Sequence, residues 1–319
     1  MAAAGSMKNM RVALLGGGGF IGTNLALALA GKVALLRGFG RRRIFPAAWQ
    51  GLTWTDGEIG SADVRQVIAG CDTVIHLAGT STPGTADRRI ADDAEVNVID
   101  TLKLLDQCAE LGVGRVLFIS SGGTVYGVPQ QLPTPEQAAT DPITAYGVAK
   151  LAIEKYLKVY RQQRGLDYRI LRVANPYGPY QTTRKAQGVV AAVIASALHD
   201  TPLQIWGDGG VVRDYVYVGD VVDAVVKVLG HAGESRVFNV GSGRGHDLLE
   251  VVRAVELLAG RKLRLDFLPA RPVDVPVSIL DPGLAGRELG WHCATSFESG
   301  LAQTLQWARN FESGAAAHL

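Results

Sequence analysis

The sequence contains few cysteines. There are three in 319 residues, Cys71, Cys108 and Cys293, and no two of them form a C-x-x-C pair. An odd number without that spacing indicates neither a disulfide framework nor a zinc site. We therefore expect buried thiols in a reducing compartment, a cytoplasmic location and no bound metal.

An excess of charge of either sign is also missing. The 32 basic residues are balanced by 30 acidic ones, which leaves a formal net charge of +2. Proteins that bind nucleic acid or anionic membranes through a broad surface carry a clear basic excess. The composition therefore argues against a nucleic-acid or membrane partner, but it is compatible with a few arginines focused on one small anion.

Long uninterrupted hydrophobic runs are absent as well. Residues 12–31 carry no charge, but glycines at 16–19 and 22 break their apolar pattern, so we expect neither a signal peptide nor a membrane span there. Glycine is what the chain has in excess, with 39 residues, about 12% against an average of about 7%. No Gly-X-Y period accounts for this excess, so it needs local explanations.

Short apolar runs alternate with helical patterns through the first half of the chain. Strands are predicted near residues 11–15, 33–36, 52–55, 73–77, 115–119 and 168–173, and helices near 24–30, 63–69, 94–111 and 145–164. This alternation predicts an α/β fold with a doubly wound parallel sheet. Such sheets bind their ligands at the carboxyl ends of the strands.

Three glycines occupy the turn between the first predicted strand and the first helix. Gly16, Gly19 and Gly22 follow the spacing Gly-x-x-Gly-x-x-Gly. Glycine permits the tight turn and lets the backbone approach a pyrophosphate, which the free amides at the helix start then face. The strand–turn–helix context predicts a dinucleotide site.

The regular alternation ends near Pro176. Beyond it proline, glycine and short elements become frequent, with one clear helix near 189–198 and a short apolar strand near 237–240. We therefore predict a Rossmann domain over residues 7–175 and a smaller, mixed α/β substrate lobe over residues 176–319. The chain is expected to return to the first domain around residues 211–242.

The carboxylate that usually accompanies the glycine motif is missing. It is expected at the end of the second strand, where it would hold the ribose 2′-hydroxyl. Arg37 occupies that place, and three further arginines follow at 41–43. Because a guanidinium pairs well with a 2′-phosphate, the sequence favours NADP(H). The alternative is a solvated arginine loop, with NAD bound without the acid.

A tyrosine and a lysine share one face of the predicted helix 145–164. Tyr146 and Lys150 are four residues apart. A neighbouring ammonium and a positively charged nicotinamide both lower the pKa of a phenol, so Tyr146 could act as a general acid or base. A predicted strand upstream ends in residues 120–127, Ser-Ser-Gly-Gly-Thr-Val-Tyr-Gly. Their hydroxyl groups are expected at the same level of the fold as Tyr146.

Taken together, these motifs resemble those of the extended short-chain dehydrogenases that act on nucleotide sugars, of the UDP-glucose 4-epimerase type. The resemblance covers nearly the whole chain. Its further elements are His-Leu-Ala-Gly at 76–79, Asn97, Asn-Pro-Tyr-Gly-Pro at 175–179, Arg-Asp-Tyr-Val-Tyr-Val at 213–218, Phe-Asn-Val-Gly at 238–241, Arg271 and Asp274.

The resemblance implies a role for each matching position. Tyr146 would be the catalytic base, Lys150 its cofactor-binding helper, and Asn97 would support the lysine through water. The implied cofactor contacts are Gly16, Gly19, Phe20, Ile21, Gly22, Glu58, Ile59, Leu77, Ala78 and Gly79. The implied substrate contacts are Asn175, the diphosphate clamp of Arg213 and Arg271, and Asp274 near the nucleoside ribose.

Two positions depart from the family pattern. The epimerases usually carry a serine or threonine where this chain has Gly122, so the hydroxyl that bridges Tyr146 and the sugar O4 must come from Thr124, which we favour, or from Ser121. Arg37 replaces the family's acid. In addition, Gly123 and Thr124 stand where the related 4,6-dehydratases carry an Asp-Glu pair, which argues against dehydration.

The resemblance therefore implies a nucleotide-sugar 4-epimerase that works through a transient 4-keto sugar and bound NAD(P), in nucleotide-sugar metabolism and polysaccharide biosynthesis. One alternative is an NADPH-dependent reductase of an NDP-4-keto-6-deoxyhexose, which Arg37 favours. Another is a non-catalytic dinucleotide-sensing protein, which a retained diphosphate clamp argues against. By analogy, we expect a homodimer through helices that include residues 102–111 and 153–160.

Overall fold

In a computed structural model, the chain is described over residues 7–79, 86–87, 89–182, 188–270 and 275–313. Its strands, numbered along the chain, are β1 (Arg11–Leu15), β2 (Leu35–Gly40), β3 (Thr53–Asp56), β4 (Thr73–His76), β5 (Arg115–Ser121), β6 (Asp167–Val173), β7 (Asn175–Tyr177), β8 (Leu203–Trp206), β9 (Val212–Tyr217), β10 (Val237–Val240), β11 (Gly245–Asp247), β12 (Leu265–Leu268) and β13 (Val277–Ser278).

The α-helices are numbered in the same way. They are α1 (Phe20–Leu29), α2 (Asp63–Ile68), α3 (Ile90–Asp93), α4 (Asp100–Glu110), α5 (Gly122–Val125), α6 (Ala145–Arg164), α7 (Val189–His199), α8 (Val218–Leu229), α9 (Leu248–Ala259), α10 (Gly283–Leu289) and α11 (Phe297–Glu312). A π-helical segment, Ala94–Ile99, joins α3 to α4, so the helical stretch runs from 90 to 110 without a break.

Seven parallel strands form the main sheet, in the order β10-β6-β5-β4-β1-β2-β3. The central strands are apolar and buried because helices cover both faces, as an all-parallel sheet requires. The chain runs outward from β1 to β3 on one side and starts again at β4 on the other. This reversal of strand order opens a crevice at the carboxyl ends of β1 and β4, where such sheets bind ligands.

The part of the chain beyond residue 175 builds smaller sheets over these strand ends. β9 pairs with β7, β11 and β13, while β8 pairs with β12. Residues of α7, α9 and α11 form their own buried apolar cluster with them. In the same part, β10 pairs in parallel with β6 and completes the main sheet. The division into units at residue 175 stays a prediction.

Helix α6 matches the prediction from sequence, and β2 differs from it. Gly165 ends α6 with φ of 70°, the left-handed conformation that glycine adopts without strain. Strand β2 was predicted over 33–36 but reaches Gly40. The strand continues beyond residue 36 because the amides of Gly16 and Gly17 donate to the Phe39 carbonyl. This contact joins segments that are far apart in sequence.

Candidate active site

The carboxyl ends of the central strands open into a cavity of about 980 Å³. Residues of the main sheet and of the segments beyond residue 175 line it together. All ten positions for which the resemblance implied cofactor contacts lie on its wall: Gly16, Gly19, Phe20, Ile21, Gly22, Glu58, Ile59, Leu77, Ala78 and Gly79. Chain segments that are far apart in sequence therefore meet at one site.

The glycine turn is a cradle that side chains would fill. Gly16 has φ of +82°, and a Cβ on it would lie 2.7 Å from the amide nitrogen of Ala78. A Cβ on Gly22 would lie 2.5 Å from the carbonyl oxygen of Gly16. Across the described segments, no side chain caps the first turn of α1, so its amides can bind a ligand. This cradle fits the pyrophosphate of a dinucleotide.

Arg37 does not lie at the cofactor site, where we expected it from the sequence. Its Nη1 donates to the carbonyl oxygens of Gln66, Val67 and Ala69, at 3.3, 3.1 and 2.8 Å. These carbonyls end helix α2, so the guanidinium caps that helix end, and Arg37 is not among the described residues that line the cavity. The assignment of Arg37 to the cofactor is corrected on this ground. Because β2 is longer than predicted, Gly40, Arg41 and Arg42 line the cavity at its carboxyl end instead.

Tyr146 and Lys150 lie one turn apart at the start of α6, and both line the cavity. Thr144 begins this helix, its side chain accepting a hydrogen bond from the Gly147 amide at 3.2 Å. Lys150 Nζ donates to the Ile119 carbonyl at 3.1 Å and lies 4.7 Å from the Phe118 ring centroid. The two side chains therefore lie on one face of the helix, as their spacing in the sequence predicts.

Burial affects the two side chains in opposite directions. It lowers the pKa of Lys150 to about 8, against attraction from Glu154 and Asp93. It raises the pKa of Tyr146 to about 12, and the Asp93 carboxylate raises that pKa further. We expected Lys150 to lower the phenol pKa, but the causes that act on this pKa, burial and the Asp93 carboxylate, both raise it.

The structure separates the two hydroxyl candidates. Ser121 lines the cavity, whereas Thr124 is not among its described lining residues. The Thr124 hydroxyl donates to the carbonyl of Ser121 at 3.4 Å, and its Cβ packs beside Gly147. A Cβ on Gly122 would meet the side chain of Leu280, so that position faces away from the cavity. The placement favours Ser121 over Thr124, the reverse of our expectation.

Asn97 lies in the π-helical segment and lines the cavity. Its Nδ2 donates to Asp93 Oδ1 at 2.9 Å. Its main-chain carbonyl accepts a hydrogen bond from the Thr101 hydroxyl at 2.6 Å, and that hydroxyl lies 3.0 Å from Nε2 of His76. Since π-helical turns occur mostly at functional sites, this geometry agrees with a role in the site.

A buried ion pair behind the lysine was not found by sequence reasoning. Glu154 accepts from Arg172 Nη2 at 2.6 Å and from the Ser120 hydroxyl at 2.6 Å. Arg172 also donates to the Tyr126 hydroxyl at 2.9 Å. The spacing of Glu154, four residues after Lys150, could have placed it on the same helix face. The cluster ties the end of β5 to α6.

Two of the four predicted substrate residues can be placed. Asn175 and Arg213 both line the cavity. The buried Nδ2 of Asn175 has no hydrogen-bond partner among the residues that the structure describes, so it can donate to a ligand. Arg213 Nη1 donates to the carbonyls of Val212 and Val275 at 2.9 and 2.6 Å. Arg271 and Asp274 lie outside the described residues.

Two further features bear on the class of the protein. Across the described ranges, no three His, Cys, Asp or Glu side chains cluster in a way that could hold a metal ion. Among the helices of the described residues, none has both the length and the apolar character that a membrane crossing needs.

Comparison with known families gives a match over most of the chain. Residues 12–241 match the model of the NAD dependent epimerase/dehydratase family. A UDP-glucose 4-epimerase of Mycolicibacterium smegmatis is 34% identical over an alignment of 313 positions, which covers 94% of this chain and 99% of that protein.

Solved structures agree with this match. The UDP-glucose 4-epimerase of Thermotoga maritima, solved with UDP-glucose, superposes with a TM-score of 0.91 at 33% identity, over 95% of this chain and all of that one. The UDP-glucose 4-epimerase of Thermus thermophilus, solved with NAD, gives 0.86 at 32% identity, over 94% and 99% of the two chains.

Proposed function

The chain belongs to the NAD dependent epimerase/dehydratase family, and from this membership we propose that it is a nucleotide-sugar 4-epimerase. The observation that carries the proposal is one cavity that holds the glycine cradle, the Tyr146–Lys150 pair, Asn175 and Arg213 together. A site of this composition can bind a dinucleotide beside a diphosphate-linked sugar, and the Tyr146 phenol can exchange a proton with a hydroxyl of that sugar.

The residues of the cradle would hold NAD(P), with Lys150 near its nicotinamide half and Glu58 and Ile59 near its adenine. When bound, the oxidised nicotinamide supplies reversible hydride transfer at C4 of the sugar and a positive charge that favours the tyrosine phenolate. The cradle fits this cofactor because a side chain at Gly16 or Gly22 would occupy its space.

Tyr146 would take the proton from the C4 hydroxyl of the sugar and later return it. Ser121 would bridge the phenol and the sugar O4 by hydrogen bonds, in place of the hydroxyl that Gly122 lacks. Lys150 would hold positive charge beside the phenol, since its Nζ is kept in place by the Ile119 carbonyl. Proton transfer by a positioned side chain contributes about 10²–10⁴-fold to a rate.

Asn175, Arg213, Arg271 and Asp274 would bind the nucleotide diphosphate. Binding energy placed on the diphosphate leaves the sugar free to turn between its two faces, so C4 of the 4-keto sugar can take hydride back on either face while Tyr146 returns the proton to O4. The class of substrate that we propose is therefore a nucleotide-diphosphate hexose.

A substrate panel tests this function. Purified protein would be incubated with UDP-, dTDP- and GDP-hexoses without added NAD(P)H, and both C4 epimers would be measured. An epimerase interconverts one pair and releases oxidised cofactor when it is denatured. Oxidation of added NADPH only in the presence of a 4-keto-6-deoxyhexose nucleotide would identify a reductase instead and would overturn the proposal.

For the cofactor, we propose a preference for NADP(H) through Arg41 and Arg42 rather than Arg37. Both line the cavity next to Gly40, at the end of β2. A carboxylate at this place would repel the 2′-phosphate of NADP(H). A guanidinium in that place can pair with a 2′-phosphate. The dissociation constants of NADP+ and NAD+ test this preference, and tighter binding of NAD+ would overturn it.

For the assembly, we propose a homodimer through α6 and the helical stretch 90–110. These helices pack against each other, and outside the cavity they expose the apolar side chains Ile99, Val148, Tyr156 and Val159. A second copy would cover them. Light scattering tests this assembly: Val148→Asp with Val159→Asp is expected to give monomers.

A further inference from the structure

Asp93 is a buried carboxylate beside the site, although its sequence context resembles a charged helix start. It is 6% exposed, whereas the side chain of the adjacent Asp92 is 50% exposed and pairs with Arg89. Burying a carboxylate is costly unless it gains a partner. Within the described part of the chain, Asp93 has no ion pair within 4 Å, and its carboxylate accepts a hydrogen bond from the side-chain amide of Asn97 at 2.9 Å.

The position of Asp93 brings its charge to the two central side chains. Helix α3, which ends at Asp93, packs against α6, which carries Tyr146 and Lys150. Asn97, the hydrogen-bond partner of Asp93, lines with Tyr146 and Lys150 both the main cavity and a small adjoining one. The second buried carboxylate near the lysine, Glu154, is already paired with Arg172.

We propose that Asp93 is a positioning residue of this site, which orients Asn97 and acts as the counter-charge of the buried Lys150 ammonium. Glu154 cannot take that role fully, because two nitrogens of Arg172 bind its carboxylate. This inference rests on the proposed function only for its kinetic readout.

The other charged or titratable groups around the pair are few. Glu154 lies on the same helix, and Arg172 reaches it from β6. From β4, His76 is neutral at ordinary pH because burial lowers its pKa to about 3. Asp87 accepts a hydrogen bond from the Ala145 amide, and Asp100, which lines the cavity, pairs with Lys103 at 2.9 Å. Among these described groups, Asp87 is exposed and the other carboxylates have a cation partner, so none is a buried, unpaired carboxylate like Asp93.

The negative charge of Asp93 decides in which direction the pKa values of Tyr146 and Lys150 change. A nearby carboxylate disfavours the phenolate of Tyr146 and favours the ammonium of Lys150. Asp93→Asn keeps an oxygen for Asn97 but removes the charge, so both groups should lose protons at lower pH. We expect the acid and the alkaline limbs of the kcat/KM profile to move together by about one pH unit to lower pH.

The test compares Asp93→Asn with Asp92→Asn, which removes the same charge from an exposed neighbour, and with Asp93→Glu, which keeps the charge. The first should shift the pH profile, and the other two should leave its limbs at wild-type positions. A reduced rate with unmoved limbs in Asp93→Asn would show a purely structural role and would overturn the proposal.

A second readout does not depend on turnover. Tyrosinate absorbance, titrated against pH in the purified protein with Tyr146→Phe as the difference reference, reports the phenol directly. Appearance of the Tyr146 phenolate at lower pH in Asp93→Asn supports the inference even if no substrate of the panel is converted. Coincident titrations in Asp93→Asn and the wild type would overturn it, whatever the activity.

Discussion

The Nζ atom of Lys150 lies 5.6 Å from the centroid of the Tyr146 ring, on the same face of α6. The ammonium is held there by the Ile119 carbonyl at the end of β5, and not by a hydrogen bond to the phenol. The lysine charge therefore lies near the tyrosine ring without a direct bond to its hydroxyl, in a buried site in which charges act strongly.

Tyr146→Phe should lower kcat by about 10²–10⁴-fold, because the proton of the C4 hydroxyl loses its acceptor. The fold should be retained, since only a hydroxyl is removed at the cavity wall. Steady-state kinetics and thermal unfolding measure the two effects. Tyr156→Phe, at an exposed position of the same helix, is the matched control and should keep wild-type turnover; near-normal turnover in Tyr146→Phe would remove this residue from the mechanism.

Ser121→Ala and Thr124→Ala should differ in activity. Ser121 lines the cavity, so its loss should lower kcat by about 10-fold or more through a missing charge-assisted hydrogen bond. Thr124→Ala should stay within a few-fold of wild type, because its hydroxyl bonds to backbone. Comparing kcat of the two variants decides between them, and the opposite ranking would restore Thr124 as the bridging residue.

Arg42→Ala combined with Arg41→Ala should weaken NADP+ binding by about 10-fold or more, with little change for NAD+, because only NADP+ carries the 2′-phosphate. Arg37→Met should leave both dissociation constants unchanged and lower stability by about 1 kcal/mol, since it removes hydrogen bonds to the end of α2. Calorimetric titration with each dinucleotide checks both statements. A selective loss of NADP+ affinity in Arg37→Met would reverse the assignment.

Arg172→Met should lower the free energy of unfolding by about 3–5 kcal/mol, because it leaves the Glu154 carboxylate buried without its cation. The double variant Arg172→Met/Glu154→Met should be less destabilised than the single one, since no charge is left unpaired. Arg65→Met breaks the exposed pair with Glu110 and serves as the control, with an expected loss below about 1 kcal/mol. Denaturant titration measures all three.

Stability should fall as pH is lowered from about 6.5 toward 3. Burial lowers the pKa of folded His76 from 6.5 to about 3, so the unfolded chain binds one proton more in this range, and the stability that His76 contributes above pH 6.5 is lost. Between pH 7 and pH 4.5 this single group accounts for about 2 kcal/mol. Denaturant unfolding at the two pH values should show a smaller loss in His76→Gln than in the wild type, whereas the exposed His292→Gln should behave like the wild type.

Local patterns in the sequence predicted much of the fold and part of the site. The predicted limits of helix 145–164 agree with those of α6, because its threonine cap and terminal glycine act within a few residues. The glycine turn and the i, i+4 pair are likewise local, and the structure places them on one cavity. Arg271 and Asp274 lie outside the described residues and stay predictions.

The errors occurred where distant segments meet. The end of β2 was predicted too early because its extension depends on the amides of Gly16 and Gly17. The burial of Asp93 was not predicted, since nothing within its own helix shows that α6 packs against it. The position of Thr124, outside the described lining of the cavity, was missed for a similar reason: whether a hydroxyl faces the cavity depends on the turn at Gly122 against Leu280.

By itself, the sequence determined the alternating α/β architecture, the glycine cradle and the Tyr146–Lys150 pair, because hydrophobic period, capping residues and helical spacing act over one or two turns of chain. Only the tertiary structure decided that Arg37 caps a helix, that Ser121 borders the cavity, and that Asp93 and Glu154 are buried beside the lysine. These facts depend on which surfaces pack together, and burial and charge act through space and not along the chain.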